Sequence, residues 1–505
     1  MGEGFFIHPD FFSGLTQRMP TSLLMTTTLM VYFVVLLLIS LHHKHRNDNH
    51  TFFRAGKNSP WWMVGFGMIG ASISGVSFIS VPGWVAETGM TYLQMCLGFF
   101  FGYLIVAFVL LPLFYRLRLT SIYSWLGLRF GESAHRTGAV FFLLSKLAGA
   151  AARLYLVCLV LQEFIFQPLG LPFELSCALM LLLIWGYTNI SGIHTIVRTD
   201  ILQTACLLFA LCWMIGISLD RIDINLCDAV KQAASSDMGR VFEWDAAEPQ
   251  AFWRQFLSGV FIVVAMTGLD QDMMQKNLTC RSLRDAQKEM CAYGACFLPV
   301  NSLFLFLGIL LYTICNNEEL VIHSGDSLMP TLVASGALGE LVIIPFSIGI
   351  VAAAFSSADS AFTALTTSCC IDLLKIESKD WGKEKAERIR RLTHIIIIGN
   401  CLLFILLFHH LNSTSLINAI YVMASYTYGP LLGLFAFGLL SRRIVNSKAI
   451  PFIAIAAPLL CGWLDVYAPR LWGYSFGYEL LLLNGLLTFL GLLLFSHRPA
   501  VAMQT

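Results

Sequence analysis

Thirteen apolar stretches, most of them near the roughly 20 residues that cross a bilayer as a helix, dominate this chain. They lie near 21–41, 61–84, 91–115, 138–165, 173–190, 196–218, 252–274, 289–314, 341–374, 393–411, 414–440, 449–467 and 478–496. Backbone N–H and C=O groups in hydrocarbon must be satisfied within the chain, so these stretches predict an all-α integral membrane protein. Composition agrees: 12% of the 505 residues are charged, where a soluble domain is about a quarter charged.

Threading the stretches back and forth gathers most of the 32 Lys and Arg on one side. Lys44, Arg46, Arg54 and Lys57 follow the first stretch, Arg116, Arg118, Arg129 and Arg136 the third, and seven more fall between 375 and 391. Positive charge marks the cytoplasmic side. The N-terminus is therefore expected outside and the C-terminus inside a plasma or inner membrane, as an odd number of spans requires. Residues 1–20 lack the charged lead and small-x-small cleavage site of a signal peptide, so the first stretch reads as a retained anchor. The 14 Cys contain no CxxC pair and read as packing residues.

No GxxxxGK[ST] is present, which argues against ATP-driven transport within the chain. The longest polar segments, near 219–251 and 375–392, are too short for a nucleotide-binding or signalling module. The spans divide into a peripheral first helix at 21–41, five spans over 61–218, five over 252–440, and two additional helices over 449–496. An odd number of helices per set inverts the second set, the arrangement that places a site at mid-membrane where the first helix of each set breaks. The first set opens with GASISGVS at 70–77, followed by Pro82 and Gly83. Its Gly and Ser weaken helix and permit close backbone approach. The second set opens with the weaker break signal Met266-Thr267-Gly268-Leu269-Asp270.

The ninth stretch contains AAAFSSADSAFTAL at 352–365. At 100° per residue, Ala353, Ser356, Ser357, Ser360, Thr363 and Thr367 share one arc and Asp359 borders it. Serines alone fit helix packing and bonding back to the backbone. A carboxylate deep in a span points instead to an ion or substrate path. Hydroxyls and freed carbonyls are hard donors that suit an alkali cation. A sodium site assembled from the break at 70–77 and this stripe is therefore expected.

Lys146 and Arg153 are seven residues apart in the fourth stretch and share a face. One reading is a substrate carboxylate clamped by Arg153. The other is an internal pair, for example with Glu163, or Arg153 snorkelling outward. An intramembrane serine hydrolase at GASISG would need a base within reach, yet His42, His43, His135, His194, His323, His394, His409 and His410 all fall in loops or near span ends. There is no HExxH. A channel or a transporter-like sensor would share the fold; accumulation against a gradient separates a transporter from either.

Over about residues 20–495 the chain resembles the sodium:solute symporter family. The motifs that carry this are RAGKNSPWW at 54–62, VRTDILQ at 197–203, GLDQDMMQKNLTCRSLRDAQ at 268–287 and AAAFSSADS at 352–360. The resemblance implies a leucine-transporter (LeuT) type fold of five plus five inverted helices and sodium-coupled import of a small organic solute by alternating access. A carboxylate-bearing solute is one reading of Lys146 and Arg153. Sodium, the solute and the lipid bilayer are the implied partners, with no nucleic acid and no enzymatic activity. The family's sodium site, carried over, comprises carbonyls of Gly70, Ile73 and Ala353 with the hydroxyls of Ser356 and Ser357. A second cation, sodium or proton, would involve Asp200 and Ser360. Asp359 stands where two-sodium members have a serine and adds an acid there; Arg198 replaces a Trp. The positions that present amide and aromatic groups to a sugar look like Ser77, Val263 and Met266, which argues against a sugar. Ser72, Ser74 and Ser77, with Gln94, remain as hydrogen-bonding candidates for the substrate.

Overall fold

A computed structural model describes residues 21–42, 59–117, 119–188, 193–246, 248–322, 324–377, 379, 381–411 and 416–498. Lys44, Arg46, Arg54, Lys57, Arg118 and residues 54–58 of the RAGKNSPWW motif lie outside these, as do residues 1–20.

The major helices are α1 (Thr21–His42), α2 (Trp61–Ser72), α3 (Gly75–Gly83), α4 (Tyr92–Leu117), α5 (Glu132–Phe166), α6 (Phe173–Thr188), α7 (Ile193–Ile222), α8 (Phe252–Gly268), α9 (Gln271–Asn277), α10 (Leu283–Asn317), α11 (Glu340–Leu373), α12 (Lys383–Leu411), α13 (Leu416–Leu440), α14 (Ile450–Trp472) and α15 (Leu480–Leu494). Among the described residues, nine helices are long and apolar enough to cross a membrane, and the bent pairs α2–α3 and α8–α9 bring the number to 11. The shorter apolar helices α6 and α15 fall on the remaining two of the thirteen stretches. Counting them as spans gives thirteen; length and hydropathy alone give 11. Outer faces carry large exposed apolar side chains, such as Val31 and Leu38 on α1, Leu403 on α12, and Phe452 and Leu459 on α14. In a bilayer such faces meet hydrocarbon.

Both helix breaks occur where the sequence places them. α2 and α3 meet at 58° across Ile73 and Ser74, whose backbones are extended (ψ 90° and 171°). α8 and α9 meet at 70° across Leu269 and Asp270. Several helices run past their apolar stretches. α12 starts at Lys383, so the basic residues at 383–391 occupy its first turns instead of a loop. The segment at 219–251 contains a short amphipathic helix, Leu226–Ser235, capped by Asn225.

The first and second sets touch at the backbone where α4 crosses α8. Gly98 and Gly102 form a GxxxG step on α4, the small-residue pattern that lets spanning helices touch at the backbone. A Cβ on Gly98 would lie 2.1 Å from the Phe256 carbonyl oxygen, and one on Gly259 would lie 2.3 Å from that of Met95. Gly98→Val is therefore expected to lower the melting temperature of the purified protein, by an overpacking cost of roughly 1–3 kcal/mol. A wild-type melting curve for this variant would refute the close packing.

Candidate functional site

A cavity of about 100 Å³ opens between the two breaks. Ser72, Ser74 and Ser77 line it from the first break, Val263, Met266 and Thr267 from α8, and Tyr103, Tyr293 and Arg153 from the surrounding helices. The α2 backbone ladder ends with the Ile73 amide donating to Ile69 O (3.0 Å), and bonding resumes with Phe78 to Ser74 O (3.1 Å). The carbonyls from Gly70 to Ile73 thus lie in the gap that a broken helix leaves. Gly70 also lets α7 in: a Cβ there would lie 2.1 Å from Thr204 Oγ1.

The hydroxyl stripe on α11 divides by function. Thr363 and Thr367 donate to carbonyls four residues back (2.9 and 2.8 Å), the helix-packing use of such groups. Ser357 Oγ instead reaches the break and donates to Ala71 O (3.2 Å). Ser356 Oγ crosses to α7 and donates to Asp200 Oδ1 (2.9 Å). Ala353, Ser356 and Ser357 are buried, so α11 and the first break are neighbours in the interior. Ser357 thus touches the stretch between Gly70 and Ile73; Gly70, Ile73, Ala353, Ser356 and Ser357 remain candidates for a sodium site.

The second group expected to hold a cation is arranged differently. Asp200 Oδ2 lies 2.8 Å from Lys276 Nζ on α9, and both side chains are 1% exposed. Ser360 Oγ donates to Ser356 O (3.0 Å) and to Asp272 Oδ2 (3.3 Å). Asp359, at the border of the stripe, accepts from Tyr187 OH on α6 (3.0 Å). Arg198 is half-buried on α7 and forms no ion pair among the described residues.

Lys146 does not reach Glu163, which is exposed in the last turn of α5. It bridges two carboxylates at the second break: Asp270 Oδ2 at 3.1 Å and Asp272 Oδ2 at 2.8 Å. Asp270 also accepts from Tyr428 OH (2.5 Å) and from the Asp272 amide (2.8 Å), capping α9. Its role explains the break, since its side chain replaces the helical partner the amide has lost. Lys146 is thus spent on an internal pairing, and Arg153 is separated from it in role. The Arg153 guanidinium forms no ion pair and no hydrogen bond with any described residue. It borders both the central cavity and a smaller one of about 30 Å³ shared with Lys146, Asp270 and Tyr428.

Gln94 is not a cavity residue. Its amide donates to Gln250 O (2.9 Å) and accepts from the Glu243 amide (3.1 Å), pinning the segment before α8. Sequence reasoning missed Tyr103 and Tyr293, which join Ser72 in a hydroxyl chain: Ser72 to Tyr293, and Tyr103 OH to Tyr293 OH at 2.8 Å. It also missed the roles of Asp270, Asp272 and Lys276, although DQDMMQK at 270–276 displays three charges beside a break.

A family model described as "Sodium:solute symporter family" matches residues 52–452. The human sodium/iodide cotransporter is 25% identical over 77% of this chain, but the match spans only 60% of that protein. The sodium/sialic acid symporter NanT of Aliivibrio fischeri is 24% identical, covering 81% of each chain. Sodium-coupled monocarboxylate transporter 1 of Mus musculus is 24% identical over 83% of this chain and 67% of its own length. A solved Na+-coupled sialic acid symporter, in a substrate-bound outward-open state, covers 94% of this chain and 99% of its own at a TM-score of 0.78 and 19% identity. That likeness establishes a LeuT-type fold for the pair of bent spans and their surrounding helices. The chain belongs to the sodium:solute symporter family.

Proposed function

We propose that the protein is a sodium-coupled secondary active symporter, oriented with its N-terminus outside and C-terminus in the cytoplasm of a cell membrane, that imports a small organic anion by alternating access. The observation that carries the solute class is Arg153. A guanidinium facing a central cavity without a protein carboxylate is a strong binding group for a planar anion, whereas Lys146 is already neutralised by Asp270 and Asp272. The cavity of about 100 Å³ suits a small solute, since drug-sized ligands occupy roughly 300 Å³ or more. Val263 and Met266 give its α8 wall an apolar surface, which favours a short apolar acid over a polyhydroxylated sugar. Ser72, Ser74 and Ser77 offer hydroxyls opposite. The names of three relatives, cotransporters of iodide, sialic acid and monocarboxylates, are in keeping with an anion.

Sodium is placed between the break carbonyls of Gly70 and Ile73, the Ala353 carbonyl, and the hydroxyls of Ser356 and Ser357. These oxygens replace the water that the ion sheds. Purified protein in liposomes is expected to accumulate one of a set of radiolabelled short carboxylates against a gradient in sodium and not in potassium. Chemical alteration of the solute, or equilibration without accumulation, would count for an enzyme or a channel instead. The double variant Ser356→Ala, Ser357→Ala is expected to raise the sodium concentration for half-maximal thermal stabilisation by roughly tenfold or more, from about 1–3 kcal/mol per lost polar contact. Unchanged sodium dependence would remove both serines from the site.

A further inference from the structure

Asp200 is the carboxylate that a second sodium would use, and a positive group already stands against it. Lys276 projects from α9, the short helix after the second break, and its ammonium lies 2.8 Å from Asp200 Oδ2. The other oxygen of Asp200 accepts from Ser356 at 2.9 Å. Both oxygens are thus engaged, one by a full charge and one by a hydroxyl. An ammonium is a compact point charge of unit valence, close to what an alkali ion offers a carboxylate. Buried carboxylates and ammoniums in this interior do not balance. Asp200, Asp270, Asp272, Asp359 and Glu289 stand against Lys146 and Lys276, all of them buried. The surplus lies at the two aspartates that share Lys146, at Asp359, which accepts from Tyr187, and at Glu289, which accepts from Asn277; the ion-pair contact of Asp200 is with Lys276. Ser360, the remaining residue of that second group, turns to Asp272 and Ser356 O.

We propose that Lys276 is a tethered cation that takes the place of a second sodium at Asp200, so that the protein binds a single sodium ion. The inference deepens the symporter reading and rests on its first sodium site. It assigns to Lys276 the setting of ion stoichiometry, a role separate from solute contact, because Lys276 does not line the central cavity. Methionine in its place removes the charge while keeping much of the length, leaving Asp200, Ser356 and Ser360 open to an ion from solution.

The test counts ions directly, with sodium as the probe. Equilibrium binding of ²²Na⁺ to purified full-length protein is expected to give one ion per chain for wild type, two for Lys276→Met, and one again for Lys276→Met combined with Asp200→Asn. Two ions in wild type would overturn the proposal, and that measurement does not depend on any variant folding. Equal counts in wild type and monodisperse Lys276→Met would overturn it as well. No ion in wild type but one in Lys276→Met would leave the tethered cation standing and remove the first sodium site. No ion in either protein would remove both.

Discussion

Replacing Lys146 by methionine is expected to destabilise the protein by about 3–5 kcal/mol, the cost of stranding buried charge when one partner of an ion pair is removed. The reason is local. Asp270 and Asp272 share this one ammonium within 3.1 and 2.8 Å, and all three side chains are nearly sealed from solvent. Without it two carboxylates two residues apart face each other in a low-dielectric interior, where like charges repel strongly. Thermal unfolding in detergent reads the effect. The triple variant Lys146→Met, Asp270→Asn, Asp272→Asn should recover much of the loss, because it removes the stranded charges along with the cation. A single variant that melts with wild type would show that the bridge contributes nothing.

Arg153→Gln should behave in the opposite way. Its guanidinium has no ion-pair partner among the described residues, so neutralising it leaves no stranded carboxylate and the apo protein should melt near the wild-type temperature. Solute recognition should suffer instead. Two charge-assisted hydrogen bonds at about 1.5–3 kcal/mol each correspond to a loss of roughly a hundredfold or more in affinity for a carboxylate. The readout is protection against thermal unfolding by short carboxylates in the presence of sodium, with sodium's own stabilising effect measured alongside. Loss of both effects would make Arg153 structural. A neutral preferred solute, bound equally by wild type and variant, would remove the anion assignment.

These contrasting expectations for two cations on one helix face show where sequence is informative. Lys146 and Arg153 share a face by spacing alone, and spacing gives both the same expectation of an anionic partner. That Lys146 alone meets carboxylates depends on α9, a helix seven residues long beyond a 70° bend, and on Asp270 just before it, and no periodicity announces how such a piece packs. The long elements were legible because hydrocarbon imposes length and apolarity on every span. The first break was legible because Gly and Ser cluster there. On α11 the stripe was visible, but its division was not: helical spacing gives Thr363 and Thr367 the same face as Ser356, and only neighbouring elements reveal which hydroxyls bond backward and which reach across. Gln94 looked like a solute group because it is polar within an apolar stretch. Its real partners lie more than a hundred residues away in sequence, in the segment before α8.

The crossing of α4 and α8 carries a mechanical meaning. At Gly98 and Gly259 one backbone rests on another, with no side chain between them to compress or to swing aside. Such a contact resists shear much more than a seam of flexible leucines, since close-packed interiors shift between discrete arrangements and do not deform smoothly. The two helices therefore form one stiff plank, joining a member of each half of the fold. Motion is left to the places where hydrogen-bonding already lapses, at Ile73–Ser74 and Leu269–Asp270. A molecule built in this way bends at two joints and stays rigid along the beam that connects them.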